Sequence, residues 1–336
     1  MRIQLGHRYE DIISVENLLE AWKEFVRGKR NRRDVQEYQF RLMDNILELH
    51  ESLSNHAYRH GPYQAFAIHD PKPRSIHKAS VRDRLLHHAI YRVLYPFFDK
   101  TFIADSYSCR KGKGTHKALN RFREFSHIVS KNNTKTCWVL KCDIRKFFAN
   151  IDQKTLISVL TGYISDVHIL NLLNEVIRSF PPPSTIDRSI VLMGLPLGNL
   201  TSQLLVNIYM NEFDQFAKHK LKAQYYIRYA DDFVVLSENR SWLEPLIPEI
   251  REFLHTQLKL ELHPDKLSIE TLASGVDFLG WVHFPSHRLL RTATKRRMFR
   301  RLEESTSPET LNSYLGLLRH GNTYRIKKRL PEAIRV

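Results

Sequence analysis

The sequence predicts an α+β fold in which helical regions flank a central region of short strands. Residues 10–60 carry apolar side chains at helical spacing. The central part of the chain contains short apolar runs around residues 138–144 and 226–236. Such runs are typical of buried strands. From residue 286 onwards the chain becomes strongly basic with helical spacing, which indicates a separate helical region at the C-terminal end.

The N-terminal 60 residues are predicted to form helices. The apolar residues of the first helix are Val15, Leu18, Leu19, Trp22, Phe25 and Val26. Those of the second are Tyr38, Phe40, Leu42, Met43, Ile46, Leu47 and Leu49. Between them, residues 27–33 hold five cations in seven positions. This loop is either a solvated linker or a phosphate contact.

A predicted hairpin follows at residues 61–80. Gly61 and Pro62 end the helical pattern, and residues 63–69 alternate as a strand does. The chain then turns at Pro71 into a second strand. Lys72 and Arg74 are two positions apart, so on a strand they share a face. A pair of cations on one face of a hairpin suits a triphosphate.

Residues 81–135 are predicted to form two helices joined by a loop. The loop, residues 102–117, contains glycines separated by lysine at Gly112, Lys113 and Gly114. Glycine lets the backbone approach a phosphate closely. The segment does not have the spacing of a nucleotide-binding Walker A loop.

Three carboxylates fall at the ends of predicted strands. Asp143 ends the buried strand that starts at Trp138, and Asp231 and Asp232 follow Tyr229 and Ala230 between two apolar flanks. We expect Asp231 and Asp232 to lie at the turn of a β-hairpin. Like charges beside apolar residues are costly unless they are paired or bound to metal. A divalent cation held by these acids is the simplest compensation.

Four further segments complete the chain. Residues 194–203 contain a Pro-x-Gly turn that leads into a predicted helix ending at residue 214. This helix is apolar on most faces, so we expect it to be buried. Residues 241–258 have the pattern of one amphipathic helix. Residues 260–266 and 276–282 read as strand and turn.

The composition of the chain limits the classes of function that it can have. The 336 residues carry a formal charge of +16, which favours a polyanionic partner, and nucleic acid in particular. No apolar run is long enough for a membrane span, and the N-terminus has no hydrophobic signal region. Three cysteines without a CxxC pair support neither a disulfide framework nor a zinc site. We therefore expect a cytoplasmic protein.

The order of these motifs resembles that of the reverse transcriptase family across nearly the whole chain. The box Tyr-Ala-Asp-Asp at 229–232 is the family's best-known motif, and Asp143 with Phe148 matches its Asp-x-x-x-x-aromatic motif. Residues 194–214 match its Pro-x-Gly motif and following helix. His263-Pro264-x-Lys266 and Phe278-Leu279-Gly280 match two later blocks, and Lys72 and Arg74 match its fingers cations.

The resemblance implies a right-hand polymerase fold with fingers, palm and thumb. The N-terminal helical extension would be residues 1–60, and the fingers, interleaved with the palm, residues 61–135. The palm, an antiparallel sheet with helices and the catalytic hairpin, would be residues 136–285. The basic helical thumb would be residues 286–336. The thumb has seven cations and no acid between Arg288 and Arg301, suited to gripping nucleic-acid phosphates.

The resemblance also assigns roles to individual residues. Asp143, Asp231 and Asp232 would be catalytic and would hold two Mg²⁺ ions, roughly 3.5–4 Å apart, with the carbonyl of Ile144 as a further ligand; Mn²⁺ would substitute. Phe148 would stack beneath the sugar and exclude a 2′-hydroxyl. Nucleotide contacts are expected from Lys72, Arg74, Phe148, Leu197, Gly198 and Gln203. Template and primer contacts are expected from Tyr229, Gly280, Trp281, Arg291, Lys295, Arg296 and Arg297.

Within the family, residues 197–203 look most like the reverse transcriptases of diversity-generating retroelements. Leu197 stands where group II intron and retroviral relatives usually carry glutamine. In the family this residue packs against the incoming nucleotide and the templating base, so an apolar side chain there is similar to the pattern of enzymes that misincorporate opposite adenine. The resemblance therefore implies error-prone cDNA synthesis.

The implied partners are an RNA template, a DNA or RNA primer and deoxynucleoside triphosphates. A small basic accessory protein and a structured non-coding RNA are also expected, and a membrane is not. The alternatives are another bacterial reverse transcriptase, of retron, phage-defence or intron-derived type, or a catalytically silent RNA-binding scaffold. An RNA-dependent RNA polymerase fits less well because that family usually shows Gly-Asp-Asp. The chain has no room for an additional nuclease or maturase domain, so we expect partners to supply such functions.

Overall fold

A computed structural model describes residues 2–68, 74–180, 193–304 and 307–330. The chain divides into two compact units. Unit 1 comprises Met1–Ala104, Ile144–Phe216 and Arg251–Glu261, and unit 2 comprises Asp105–Asp143, Ala217–Ile250 and Leu262–Val336. The predicted boundaries of fingers, palm and thumb stay a prediction.

Unit 1 begins with four helices and a hairpin. The elements are α1 (Tyr9–Ile13), α2 (Val15–Phe25), α3 (Arg33–Phe40), α4 (Leu42–Ser54), β1 (Gln64–Ile68), β2 (Arg74–Lys78) and α5 (Val81–Asp99). Helices were thus predicted correctly in this region, although the second predicted helix is split at Arg41, which is non-helical. The Ser14 side chain caps α2 by accepting from Asn17 N, and Ser80 caps α5 through Asp83 N. The caps satisfy backbone donors that a helix start leaves unpaired.

The core of this part of unit 1 lies between α2 and α5, which pack against each other. Leu18, Trp22 and Phe25 of α2 are buried, and so are Leu85 and Leu86 of α5. The hairpin is different, because every residue of β1 is exposed. Its second strand is partly buried from Ile76 to Lys78.

The later part of unit 1 is helical. It contains a 3₁₀ turn (Phe147–Asn150), α7 (Gln153–Thr161), α8 (Val167–Arg178) and the greater part of α9 (Leu200–His219). Helix α9 ends in unit 2. Leu204, Leu205, Ile208 and Tyr209 are buried, which confirms the predicted buried helix after the Pro-x-Gly turn. The Tyr209 hydroxyl donates to the Leu258 carbonyl at 2.5 Å.

Unit 2 is built on antiparallel sheets. The four-stranded sheet has the order β4-β5-β3-β6, from β3 (Trp138–Asp143), β4 (Tyr226–Tyr229), β5 (Asp232–Ser237) and β6 (Ser268–Thr271). A three-stranded meander contains β7 (Val276–Phe278), β8 (Trp281–His283) and β9 (Arg288–Leu290). Both apolar runs that were predicted to be buried strands lie in the first sheet.

Helices cover the sheets of unit 2. They are α6 (Thr115–Val129), α10 (Arg240–Leu243), α12 (Thr292–Glu304), α13 (Pro308–Leu318) and α14 (Tyr324–Lys327), with α11 (Leu246–Leu258) ending in unit 1. The prediction of a single helix over residues 241–258 is therefore wrong. The helical pattern is interrupted before α11 at Pro245, which has no backbone N–H to donate.

One hydrophobic core joins the helices and sheets of unit 2. It contains Phe122 of α6, Val139 of β3, Val234 of β5, Phe278 of β7 and Met298 of α12, all buried. None of the described helices combines the length and apolarity needed to cross a membrane.

Candidate active site

The carboxylates meet at one end of the four-stranded sheet. Asp143 is the last residue of β3, Asp232 is the first residue of β5, and the antiparallel register pairs the two directly. Directly opposed residues of neighbouring strands point to the same face. Asp143 and Asp232 therefore lie side by side, although 89 positions separate them in the numbering.

Asp231 occupies the turn between β4 and β5. Tyr229 pairs with Asp232, so the turn consists of Ala230 and Asp231 alone. Ala230 has φ +56°, a left-handed conformation that tight hairpin turns require and that alanine rarely adopts. The prediction that both acids occupy the turn is thus wrong in detail: Asp232 belongs to the strand, where its ladder partner fixes its direction.

Burial and mutual repulsion together disfavour negative charge on this cluster. The pKa of the Asp232 carboxyl is raised to about 7, first by burial and then by the negative charges of Asp231 and Asp143. A hydrogen bond with Asp143 adds to this shift, while the Lys141 ammonium opposes it. A carboxyl with this pKa is partly protonated at neutral pH when no cation is bound.

A lysine from a distant segment partly compensates the charge. Lys266 Nζ lies 2.7 Å from Asp143 Oδ1, and the carboxylate of Asp143 is largely buried. The backbone of the same segment is also fixed, because His263 N donates to the Asp143 carbonyl at 2.8 Å. This ion pair explains the position of the His-Pro-x-Lys block, to which the sequence analysis gave no partner.

The donor set suits a hard divalent cation. Asp143, Asp231 and Asp232 present only oxygen atoms, which Mg²⁺ prefers. Their repulsion shows an excess of negative charge that a cation would relieve. Within the residues described, no three His, Cys, Asp or Glu side chains are already arranged around a metal position. The carboxylates would therefore have to shift their rotamers to bind one together.

A buried arginine holds the turn that carries Asp231. Arg228 is fully buried, and its Nη1 donates to the Ala230 carbonyl at 3.1 Å while its Nη2 donates to Ser106 Oγ at 3.0 Å. The backbone of Arg228 also bonds to both neighbours of Ser106: its N–H donates to the Asp105 carbonyl and its carbonyl accepts from Tyr107 N. The guanidinium thus fixes the strained turn residue. This role of Arg228 was not predicted from the sequence, although a charged residue inside an apolar strand was a usable signal.

In unit 1, the loop before α9 is attached to β2. His77 N donates to the Leu197 carbonyl at 3.1 Å, and Asn199 Nδ2 donates to the His77 carbonyl at 3.1 Å. Gly198 has φ +104°, and a Cβ there would lie 2.9 Å from Ile76 Cγ2. Any larger residue would therefore strain the backbone and clash with β2.

The other predicted nucleotide contacts of unit 1 lie on neighbouring segments. Phe148 is half-buried in the 3₁₀ turn, and its carbonyl accepts from Leu195 N at 2.9 Å. Arg74 begins β2 and is exposed, and Gln203 is half-buried in α9. Unit 1 thus joins the Leu197 loop both to the strand of Arg74 and to the turn of Phe148. Lys72 lies outside the described residues.

Comparison with known proteins decides the family. The family model "Reverse transcriptase (RNA-dependent DNA polymerase)" matches residues 68–283, which include the carboxylates and the Leu197 loop. The chain belongs to the reverse transcriptase family. Members of this family generally use divalent metal ions.

Two relatives illustrate the match. Protein YkfC of Escherichia coli K12 is 26% identical over 293 residues, covering 76% of this chain and 74% of YkfC. The group II intron-encoded protein LtrA of Lactococcus lactis is 23% identical over 344 residues, covering 82% of this chain and 54% of LtrA. This reverse transcriptase chain therefore spans only about half the length of LtrA.

Solved structures show the same fold. Telomerase from Candida tropicalis aligns with a TM-score of 0.53 at 13% identity, covering 68% of this chain and 48% of the telomerase. Telomerase from Candida albicans, solved with a fragment of telomeric RNA, aligns with a TM-score of 0.50 at 12% identity. The alignment covers 74% of this chain and 51% of the telomerase. The predicted fold class, α+β with the antiparallel sheet of right-hand polymerases, is confirmed.

The predicted template and primer contacts of this reverse transcriptase divide into two groups. Trp281 is 1% exposed, and its ring packs so closely on Gly321 that a Cβ there would lie 2.1 Å from it. Its side chain is a core residue, so assigning it as a nucleic-acid contact is wrong. Gly280 is at the β7–β8 turn with φ +86°, and its carbonyl accepts from Arg291 N at 3.1 Å.

The remaining residues of this set lie in different surroundings. Tyr229 is half-buried, and its hydroxyl accepts from Thr115 Oγ1 at 3.1 Å. Arg291 forms an ion pair with Asp277. On α12, Lys295 and Arg297 are half-buried and Arg296 is exposed. Arg296 is therefore the most accessible cation of the predicted thumb set.

Proposed function

We propose that this chain copies an RNA template into DNA at the carboxylate end of the unit 2 sheet. One observation carries the proposal: Asp143 and Asp232 are direct cross-strand partners beside the turn of Asp231, in a chain whose residues 68–283 match the reverse transcriptase family. The substrates would be an RNA template, a DNA or RNA primer and deoxynucleoside triphosphates.

Asp143, Asp231 and Asp232 would hold the Mg²⁺ ions, with the Ile144 carbonyl as a further ligand. When bound, the ions neutralise triphosphate charge and lower the pKa of the attacking hydroxyl. The protein residues position this chemistry: the β3–β5 ladder fixes Asp143 and Asp232, and Arg228 fixes the turn of Asp231. Lys266 balances the charge of Asp143 and keeps its carboxylate oriented.

The residues of unit 1 are proposed to select the nucleotide. Phe148 would exclude a 2′-hydroxyl by steric contact, which is needed because an apolar pocket without a clash rejects an added hydroxyl only by about 10². Lys72 and Arg74 would neutralise the triphosphate, arginine as a fork and lysine as a point charge. Leu197, Gly198 and Gln203 would line the nucleotide pocket.

We further propose that the enzyme is the error-prone polymerase of a diversity-generating retroelement. Leu197 supports this, because an apolar side chain cannot supply the polar contact of a glutamine to the nucleotide and templating base. A small basic accessory protein and a structured non-coding RNA would then assist cDNA synthesis in the cytoplasm.

The second candidate is an intron-derived reverse transcriptase. It is favoured by one comparison, since the group II intron-encoded protein LtrA aligns with 82% of this chain. Such an enzyme would copy its own intron RNA, and its error spectrum would not concentrate at adenines.

The experiment that tests the proposal is primer extension by the purified chain on a defined RNA template. We expect DNA synthesis with Mg²⁺ and none with EDTA. Sequencing the cDNA made from co-purified RNA separates the two candidates. Substitutions concentrated at template adenines support the retroelement enzyme, whereas intron-derived cDNA with evenly spread errors supports the second candidate. No extension under any metal condition contradicts both.

A further inference from the structure

Unit 2 contains a half-open cavity that shares no residue with the carboxylate cluster. Its volume is about 340 Å³. Residues of α6, the loop between β8 and β9, and the segment 319–322 after α13 form its walls. All three belong to unit 2, so the cavity is formed within one compact part of the chain.

The walls of this cavity carry positive charge without a compensating acid. Arg123, Arg288 and Arg319 line it, and no Asp or Glu is among the lining residues. Of the three, Arg123 and Arg319 are exposed at the mouth. In the part of the chain that the structure describes, none of the three guanidinium groups forms an ion pair with a carboxylate.

Arg288 is the most constrained of the three. Its Nη2 donates to Asn120 Oδ1 at 3.3 Å and its Nε donates to the His320 carbonyl, so only neutral groups bond to it. Burial, and secondarily the charge of Arg123, lower the pKa of Arg288. An arginine in this position raises the free energy of the empty cavity, because like charges approach each other without an anion between them.

One donor atom of the wall also lacks a hydrogen-bond partner. Nη1 of Arg288 is buried, and no described protein group bonds to it. Buried polar atoms are seldom left unpaired unless a ligand or solvent completes the site. Together with the unpaired arginines at the mouth, this indicates a pocket whose complement is an anion with several acceptor oxygens.

We propose that this cavity binds a phosphate group. The forks of Arg123 and Arg319 would donate paired hydrogen bonds to its oxygens, which is the geometry that guanidinium groups offer to phosphate. The charge of Arg288 would attract the same group from the cavity wall. The phosphate could belong to a polynucleotide or to a free phosphate compound, since both present the same oxygens.

The site is tested by titrating the full chain with inorganic phosphate and measuring the heat of binding by calorimetry. We expect saturable binding that Arg123→Gln and Arg319→Gln each weaken by about tenfold, the effect of losing one charge-assisted interaction. Both side chains are exposed, so the variants should melt as the wild type does. Arg325→Gln, an equal charge change on α14 at a residue that does not line the cavity, is the matched control. Equal phosphate affinity in all four proteins, or none in the wild type, overturns the proposal.

A second measurement identifies the source of the phosphate. A short RNA is compared with 5′-phosphate and with 5′-hydroxyl ends, using the same variants. A defect of Arg123→Gln and Arg319→Gln seen only with the 5′-phosphate assigns a terminal phosphate, and a defect with both RNAs assigns the backbone. Either result supports the site. RNA binding that Arg325→Gln impairs as much as the cavity variants do counts against it. Neither experiment requires polymerase activity, so the proposed function can fail independently.

Discussion

The carboxylate end of the unit 2 sheet and the Leu197 loop of unit 1 are held in different ways. Asp143 and Asp232 are part of a continuous strand ladder, and buried Arg228 braces the adjacent turn. The Leu197 loop depends on two hydrogen bonds to His77 and on a glycine that fits against Ile76. The sheet thus fixes groups whose position must not vary, whereas a loop can change its side chains without disturbing the core.

Removing a carboxylate is the strongest test of the sheet region. Asp231→Ala should lower primer extension by at least about a thousandfold, because the turn would lose a metal ligand and its charge stabilisation. RNA binding, measured by fluorescence anisotropy, should stay unchanged because Asp231 adds no positive charge. Metal-dependent extension at wild-type rate would falsify the assignment of Asp231.

Removing the aromatic ring of Phe148 tests the predicted gate in unit 1. Phe148→Ala should raise incorporation of ribonucleotides relative to deoxynucleotides by about 10². Parallel primer extension with the two nucleotide types measures this ratio. Phe148→Tyr keeps the ring and should keep the discrimination. If the alanine variant discriminates as the wild type does, Phe148 is not the gate.

Replacing Arg228, which holds the turn, should reduce activity by less. Arg228→Gln would leave the Ala230 carbonyl without its buried partner, at a cost of about 1–3 kcal/mol, and should reduce extension by about tenfold. Ser106→Ala removes only one partner of Arg228 and should lose less activity. Thermal melting of both variants separates a local loss from unfolding. Equal activity in Arg228→Gln and wild type would show that the turn holds without the arginine.

The raised pKa of Asp232 predicts a pH dependence of stability. Its folded value is about 7, against an unfolded value of about 3.9. Between these values the folded chain retains a proton that the unfolded chain has lost, so the metal-free stability contributed by Asp232 is present at low pH and falls as pH rises through this window.

Melting curves with and without Mg²⁺ measure this effect. At about pH 8, Mg²⁺ should raise the melting temperature by several degrees, and by less at about pH 5, where protons compete with the metal. Asp232→Asn does not titrate and should reduce the difference between the two pH values. The same Mg²⁺ response in this variant would mean that Asp232 does not take part in binding.

The smallest effect is expected at the loop. Leu197→Gln should lower misincorporation opposite template adenine by a few fold, since one restored polar contact contributes about 1 kcal/mol. Overall extension should change little. Deep sequencing of cDNA from one template gives the error spectrum. Leu197→Met, which keeps an apolar side chain, is the control and should retain the errors; an unchanged spectrum in the glutamine variant would remove Leu197 from the fidelity argument.

The predictions from sequence succeeded where the signal was local. The helices of residues 10–60, the strands that carry Asp143 and Asp232, and the buried helix after the Pro-x-Gly turn all follow from the periodicity of apolar residues. The predictions went wrong where neighbours decide the outcome. Trp281 was expected to contact template or primer but is buried against Gly321. The prediction of one helix over 241–258 did not account for the break at Pro245.

The sequence by itself determined the family, the strand ends that carry the acids, and the excess of basic charge, because each depends on residue type and short spacing. Only the tertiary structure decided which charges meet. Lys266 reaches Asp143 across 123 positions, Arg228 joins the hairpin to Ser106 across 122, and three arginines from separate segments line one cavity. Such contacts are set by how the chain folds back on itself, and no periodicity along the sequence records them.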